Sequence, residues 1–484
     1  MILLYVLLLP FVVTFLTPLM RPKLATAVSA VAFLIPFAYT IYGLASGIIV
    51  RIPVVDIVHP IGRFYILGDQ VSFSFALAIC LVSAMVALYS LPYMAHRFEE
   101  MGRELESEYR KYIFFYNLYA TSMLWLVFSG NFIMLYIFLE ISLLASFLLI
   151  YMYGYGDRRR VATLYFVWTH IAGMLALIGF LMTAAANGSL AFDAIAKIGF
   201  VAWLLIFLGM IIKLPGLGPH VWLPWAHAEA PTPVSALLSP LTVGLGAYVI
   251  LRTYLISPWF IKTYTMPIFV YGVISSVYAG FMVFRQNDYK RLLAFSTISQ
   301  MGYCLIAFCL GTYGIMAVII QYISHAFGKA ILFMTAGGII ADYHGLRDIT
   351  KMSGMHEYIP TISNAALLGF MNLGGILTVG MFGEFFILKG VVDTFGLDIS
   401  TILAVVFVFI LSGLYSFYTY KRIFCGTPAG YEKVKVNRLL DTPLFIIGVV
   451  SILLIFPPLA AILLNAVKAV IAKVAIATIG GVAP

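Results

Sequence analysis

Apolar residues run through this chain in continuous blocks of roughly 20, each long enough to cross a bilayer as a helix. The blocks do not alternate in polarity, so they predict helices and not barrel strands. About 14 spans follow, with approximate limits 2–20, 24–47, 66–93, 112–129, 131–153, 160–186, 199–225, 233–256, 267–285, 291–310, 313–341, 359–390, 399–420 and 442–470. Two blocks are interrupted. The seventh contains Lys213-Leu-Pro-Gly-Leu-Gly-Pro219 and the twelfth contains Asn372-Leu-Gly-Gly-Ile-Leu-Thr-Val-Gly380, sequences a continuous helix tolerates poorly. Broken helices at matching places in two halves mark inverted-repeat transporters. The pattern therefore predicts an all-α integral membrane protein in which 1–484 forms one membrane domain. Residues 112–256 and 267–420 would be two five-helix repeats, each broken at its fourth member, flanked by helices in 1–93 and 442–470.

Composition agrees: 63% of the 484 residues are hydrophobic and 10% are charged, against about 25% charged in a soluble protein. The net charge of +9 does not indicate nucleic acid, because the basic residues cluster in short loops. With the N-terminus outside, 19 of the 29 Lys and Arg fall in inner loops and 6 outside. The inner set is Arg21, Lys23, Arg97, Arg103, Arg110, Lys111, Arg158, Arg159, Arg160, Arg285, Lys290, Arg291, Arg347, Lys351, Lys421, Arg422, Lys433, Lys435 and Arg438. The outer set is Arg51, Arg63, Lys197, Lys262, Lys468 and Lys473. The asymmetry holds to the last span and predicts both termini outside. Met1 to Leu16 lacks a basic leading segment and reads as a retained first helix. Cys80, Cys304, Cys309 and Cys425 show no C-x-x-C spacing, so no iron–sulfur cluster or structural zinc is expected in this chain, and no cofactor motif is seen.

Against that background four charges stand out. Glu140, Lys213, Lys329 and Glu384 each lie inside an apolar stretch. A charge at the bilayer centre costs about 3 kcal/mol on insertion scales, so such residues mark ion or proton paths by default. Glu140 and Lys213 read as partners: paired, each holds the other charged, and apart each tends to neutrality, which makes a switch. A static ion pair is the plainer alternative, but buried pairs add little stability. His325 and Lys329 are four residues apart on one helix face and form a candidate central relay. Glu384, in Met381-Phe-Gly-Glu-Phe-Phe386, is the last deep acid. His220, His227 and Glu229 are candidates for a wet uptake path, and their spacing is not that of a metal site. Arg252 and Lys389, near span ends, read as interfacial anchors, and the isolated His170 as structural.

Three blocks carry a resemblance. Lys213, with His220-Val-Trp-Leu-Pro-Trp-Ala-His-Ala-Glu-Ala-Pro-Thr-Pro-Val-Ser-Ala236, resembles the signature of the antiporter-like subunits. These occur in respiratory complex I, Mrp-type sodium/proton antiporters and membrane-bound [NiFe]-hydrogenase complexes. Asp288-Tyr-Lys-Arg-Leu-Leu-Ala-Phe-Ser-Thr-Ile-Ser-Gln-Met-Gly-Tyr303 resembles the second family block, and Ser324-His325 with Lys329 the third. The likeness runs from about residue 66 to 424.

The resemblance implies 14 helices in two inverted five-helix repeats. It also implies a first charge pair of Glu140 and Lys213, a central relay containing Lys329, and an exit-side group at Glu384. Glu at that last position is like the M-type subunit of complex I, whereas the spacing from Ser235 to Tyr248 is Mrp-like. Many relatives carry a lysine in span 8 where this chain has Gly244, so His325 and Lys329 would carry the central relay with water. The chain ends soon after span 14, without the long extension of the L-type subunit.

The implied function is translocation of protons, with a possible coupling to sodium, by one subunit of a complex-I-related assembly such as a membrane-bound hydrogenase. Its partners would be other membrane subunits, further antiporter-like subunits among them, redox subunits carrying Fe–S clusters, and lipid. The setting would be the cell membrane of a prokaryote. A Mrp-type antiporter subunit without redox partners is the second reading, and a proton-inert scaffold the third.

Overall fold

The structure is a computed structural model and describes residues 1–433, 437–466 and 468. Lys435, Lys473, the end of the expected last span and the C-terminus lie outside the described residues. The first half runs α1 (Ile2–Leu16), α2 (Pro22–Ser46), β1 (Val50–Ile57), β2 (Gly62–Gly68), α3 (Gln70–Glu100), α4 (Leu105–Val127), α5 (Phe132–Tyr153), α6 (Arg158–Asn187), α7 (Phe200–Lys213), α8 (Trp222–Glu229), α9 (Thr232–Leu237) and α10 (Leu245–Ile256). The second half runs α11 (Trp259–Thr263), α12 (Thr265–Phe284), α13 (Tyr289–Phe308), α14 (Gly311–Asp342), α15 (Pro360–Leu373), α16 (Gly380–Phe395), α17 (Ile399–Phe424) and α18 (Arg438–Leu453).

Among the described residues, ten helices are long and apolar enough to cross a membrane, and a bent pair, Arg438–Leu453 with Pro457–Ala466, would make an eleventh. The other expected spans fall on α4, on α7 with α8, and on α15 with α16. Burial sorts the helices into centre and rim. In the most apolar windows of α3 and α13, 94% of residues are buried; in α14 and in Thr232–Ile256 all are. In α1, α6 and α17 fewer than half are, leaving apolar faces of the width a lipid-facing helix presents.

Local chemistry sets the helix ends. Asn131, Asp288 and Asp398 cap α5, α13 and α17 by accepting from backbone N–H groups of the first turn. Both expected breaks are present. The α7 helix stops at Lys213 and α8 starts at Trp222, while α15 stops at Leu373 and α16 starts at Gly380.

Three features differ from the pattern the sequence predicts. The chain is not wholly helical: β1 and β2 form an antiparallel hairpin, and the third span starts at Gln70 instead of 66. Strand residues 66–68 are as apolar as a helix start, so hydropathy merges them with α3. Arg51 and Arg63 tie the hairpin to Asp193, and Asn131 donates to the carbonyls of Ile61 and Arg63. Between α9 and α10, Leu238–Thr242 forms a turn of π-helix around Pro240. Such turns inside α-helices are frequent at functional sites. Finally, the bend between α18 and Pro457–Ala466 is 80°.

Candidate functional site

The buried ionisable groups lie where helices break or meet. Lys213 ends α7 at the first break, is 1% exposed, and its Nζ has no hydrogen-bond partner. Glu140, mid-way along α5, does not touch it. Its Oε2 lies 2.8 Å from Nδ1 of His170 on α6, and its Oε1 is buried without a partner. The expected direct pair of Glu140 with Lys213 is therefore replaced by a Glu140–His170 pair, with Lys213 close enough to feel the carboxylate's field. His170, expected to stand alone in its span, is therefore bonded to an acid. The two residues are 30 apart in sequence on neighbouring helices, and nothing in their spacing announces the contact.

The pair also faces outward. The side chains of His170 and Glu140 are 40% and 21% exposed, among the exposed apolar residues Ile137, Leu144, Val167, Ile171 and Met174. A carboxyl bonded to an imidazole at mid-helix depth on such a face is costly in hydrocarbon.

From the first break a line of polar groups enters the centre. His220 is buried, and its Nδ1 accepts from the N–H of Gly218 at 3.1 Å. His227 on α8 is fully buried, with neither ring nitrogen partnered, and its ring lies against Phe333. Glu229 ends α8 with Oε2 buried and unpartnered. Beside it is a residue that the charge pattern places in a loop. Lys290 is fully buried in the first turn of α13 and donates to the carbonyl of Ala230 at the α8–α9 junction. Its distance from a span end in sequence does not reveal that α8 folds over it.

On α14, Lys329 is fully buried and donates to the carbonyl of Leu293, at 2.9 Å, and to Ser296, both on α13. His325, one turn away, is fully buried with both nitrogens unpartnered. His227 and Lys329 are the charged or titratable groups that act on it. The structure thus brings His227, His325 and Lys329 into one electrostatic neighbourhood.

Glu384 lies in the second turn of α16, beyond the second break. Its carboxyl packs on Gly375, where a Cβ would come within 2.5 Å and where φ is +64°. Between Lys329 and Glu384 lies a network of neutral groups. Gln321 Nε2 donates to Gln300 Oε1 at 2.6 Å. Gln300 Nε2 reaches the Leu373 carbonyl at 3.1 Å, Ser412 Oγ at 2.7 Å and the Tyr415 hydroxyl at 3.0 Å. These amides carry no charge to mark them in an apolar block, so the sequence pattern does not single them out.

One further expectation changes. Arg252 is not an interfacial anchor: it is buried, bonded to both oxygens of Asp69 at 2.6 and 2.7 Å, and to Tyr248 and Ser72. At Gly244, the space of a side chain is filled by the ring of Tyr322, which stacks on Phe75 at 4.2 Å. Among the described residues no group of three or more His, Cys, Asp or Glu could hold a metal ion.

The family profile described as NADH:quinone oxidoreductase/Mrp antiporter, TM, matches residues 129–414, and that described as NADH-ubiquinone oxidoreductase (complex I), chain 5 N-terminus, matches 63–103. The chain is 30% identical over 410 residues to subunit 5 of the chloroplast NAD(P)H-quinone oxidoreductase of Dioscorea elephantipes, covering 78% of this chain and 52% of that one. It is 29% identical over 442 residues to one subunit of the Na(+)/H(+) antiporter of Alkalihalophilus pseudofirmus, covering 82% and 53%. It thus spans about half the length of these curated relatives. Its fold is similar to a chain of the Mrp complex from Dietzia sp. DQ12-45-1b, with TM-score 0.83, 20% identity and 96% of each chain covered. It is also similar to a chain of respiratory complex I from Thermus thermophilus, with TM-score 0.82, 20% identity, and 97% and 99% covered. A chain of the membrane-bound sulfane sulfur reductase, an archaeal respiratory membrane complex, gives TM-score 0.81 at 20% identity, with 97% and 98% covered.

Proposed function

The chain belongs to the NADH:quinone oxidoreductase/Mrp antiporter transmembrane family, and from that premise we propose that it translocates protons as an antiporter-like subunit of a complex-I-related respiratory assembly. Redox chemistry would reside in partner subunits carrying Fe–S clusters, in the cell membrane of a prokaryote, with both termini of this chain outside. Residues 112–256 and 267–420 would be its inverted repeats. The observation that carries the reading is the run of buried, unpartnered titratable groups through the bundle: Glu229, His227, His325 and Lys213 all hold polar atoms without a protein partner. A static scaffold leaves few such atoms unpaired, whereas a path that exchanges protons with water needs them free.

Protons would enter by His220, His227 and Glu229, beside Lys290, reach His325 and Lys329, and leave through Glu384. Glu140 would alternate between two partners, bonded to His170 in one state and drawn to Lys213 in the other. The proton affinity of Lys213 would then follow the position of Glu140. Because the Glu140–His170 pair is exposed on an apolar flank, a neighbouring membrane protein of the assembly would cover it and set that position. The second reading is a Mrp-type sodium/proton antiporter subunit without redox partners. It is favoured by the likeness to the Alkalihalophilus pseudofirmus antiporter.

Everted membrane vesicles carrying the whole assembly test the proposal. Lys213→Ala and Glu384→Gln are expected to abolish substrate-driven acidification at unchanged content of the chain. Undiminished pumping in both leaves only the scaffold. Co-purified iron–sulfur subunits separate the first reading from the second.

A further inference from the structure

The titratable groups do not form an unbroken series. On one face of α14, Lys329, His325 and Gln321 follow at intervals of four residues. On the facing side of α13 are Ser296, Gln300 and Tyr303. Lys329 is bonded to Ser296 and Gln321 to Gln300; Gly383, beside Glu384, lies against Gln321, where a Cβ would come within 3.3 Å of the Gln321 Oε1. Proceeding from Lys329, imidazole and ammonium side chains stop at His325, and the next carboxyl is that of Glu384. The rung between them is an amide pair.

The orientation of that pair is fixed by its partners. The Leu373 carbonyl can only accept, so it takes the NH2 of Gln300. Gln300 Oε1 must then face Gln321, which answers with its own NH2 at 2.6 Å. Leu373 is the last residue of α15, so the pair is anchored to the broken end of the twelfth span. Ser412 on α17 donates to the same carbonyl at 2.7 Å. All these groups are buried. An amide here donates and accepts hydrogen bonds but takes no net charge, so the rung passes no proton while it is closed.

We propose that Gln300 and Gln321 are positioning residues: a closed, non-titrating spacer that keeps Lys329 and His325 from discharging directly onto Glu384. The proton crosses only when movement at the α15–α16 break parts the two amides and lets water between them. In that step a proton leaves Lys329 or His325 and arrives on the Glu384 carboxylate, and neither amide changes its own bonds. This rests on the translocation reading, to which it adds a barrier against leak. The lysine and the acid can then be loaded at different times and from different sides.

The experiment measures passive proton leak in vesicles carrying the complete assembly, without driving substrate. An imposed pH difference is followed with a pH-sensitive dye. Gln321→His puts a titratable group into the rung and is expected to speed collapse of the gradient several-fold; His325→Ala with Lys329→Ala in the same chain should cancel the increase. Gln321→Met, of similar size, opens the amide bond without adding a titratable group and should leak less than Gln321→His. If Gln321→His does not assemble, Gln321→Glu carries the same expectation. A parental leak rate in an assembled titratable variant, or an equal rise with Gln321→Met, overturns the spacer. Failure of translocation itself shows separately, as parental pumping no greater than that of Lys213→Ala.

Discussion

The ion pair between Asp69 and Arg252 gives a prediction whose size follows from geometry. Arg252 makes a two-pronged contact with Asp69 at 2.6 and 2.7 Å; the two side chains are 5% and 20% exposed. Asp69 also caps α3 by accepting from the Ser72 N–H at 2.9 Å. Arg252→Met preserves most of the side-chain volume but leaves a mostly buried carboxylate without its cation. Removing one partner of a buried pair costs about 3–5 kcal/mol, because the other charge keeps its desolvation penalty. Asp69→Asn/Arg252→Met restores charge balance and retains a capping oxygen, so it should cost less than Arg252→Met alone. That reversal of additivity is the signature of a coupled pair. Thermal denaturation of the solubilised assembly, followed by fluorescence at fixed detergent and lipid, should rank parent above double variant above Arg252→Met, the last lower by several degrees. If Arg252→Met lies within about 0.5 kcal/mol of the parent, the range of an ordinary surface substitution, the pair contributes no net stability and the reasoning fails.

Further expectations follow from single contacts. His170→Leu removes the group bonded to Glu140 and should lower substrate-driven pumping nearly as far as Glu140→Gln; pumping at parental rates would make the histidine structural. Gly244→Lys drives a side chain into the Tyr322 ring. Overpacking costs about 1–3 kcal/mol, so less chain should be found in the membrane by immunoblot, and Tyr322→Ala should restore part of it. Gly375→Ala meets both a left-handed φ of +64° and the Glu384 carboxyl at 2.5 Å. It should cost roughly 1–3 kcal/mol in strain and shift the pH profile of pumping, while Gly396→Ala, also at positive φ but in open space, should change stability alone.

What can be read in the sequence and what cannot divide along physical lines. Both helix breaks are legible because proline and clustered glycine act locally, whatever surrounds them. The deep charges Lys213, Lys329 and Glu384 are legible because ions are rare in apolar blocks. The partner of Glu140 is not, since a contact between α5 and α6 depends on helix rotation, which a run of apolar residues on all sides leaves unspecified. Arg252 shows the same limit differently: an arginine near a span end snorkels or pairs according to what the adjacent helix presents, here Asp69 at the start of α3. Lys290 reads as a loop charge because sequence gives distance from a span end but not what folds over it. Gln300 and Gln321 carry no charge, and neutral amides in membrane helices attract no attention until their partners are seen.

The flank of α5 and α6 has a consequence for biogenesis. A newly inserted chain with no neighbour over that flank would hold an imidazole and a carboxyl against acyl tails, a placement that costs free energy. The abundance of the chain in the cell should therefore track the supply of whichever companion shields that flank, and overproduction alone should yield short-lived protein.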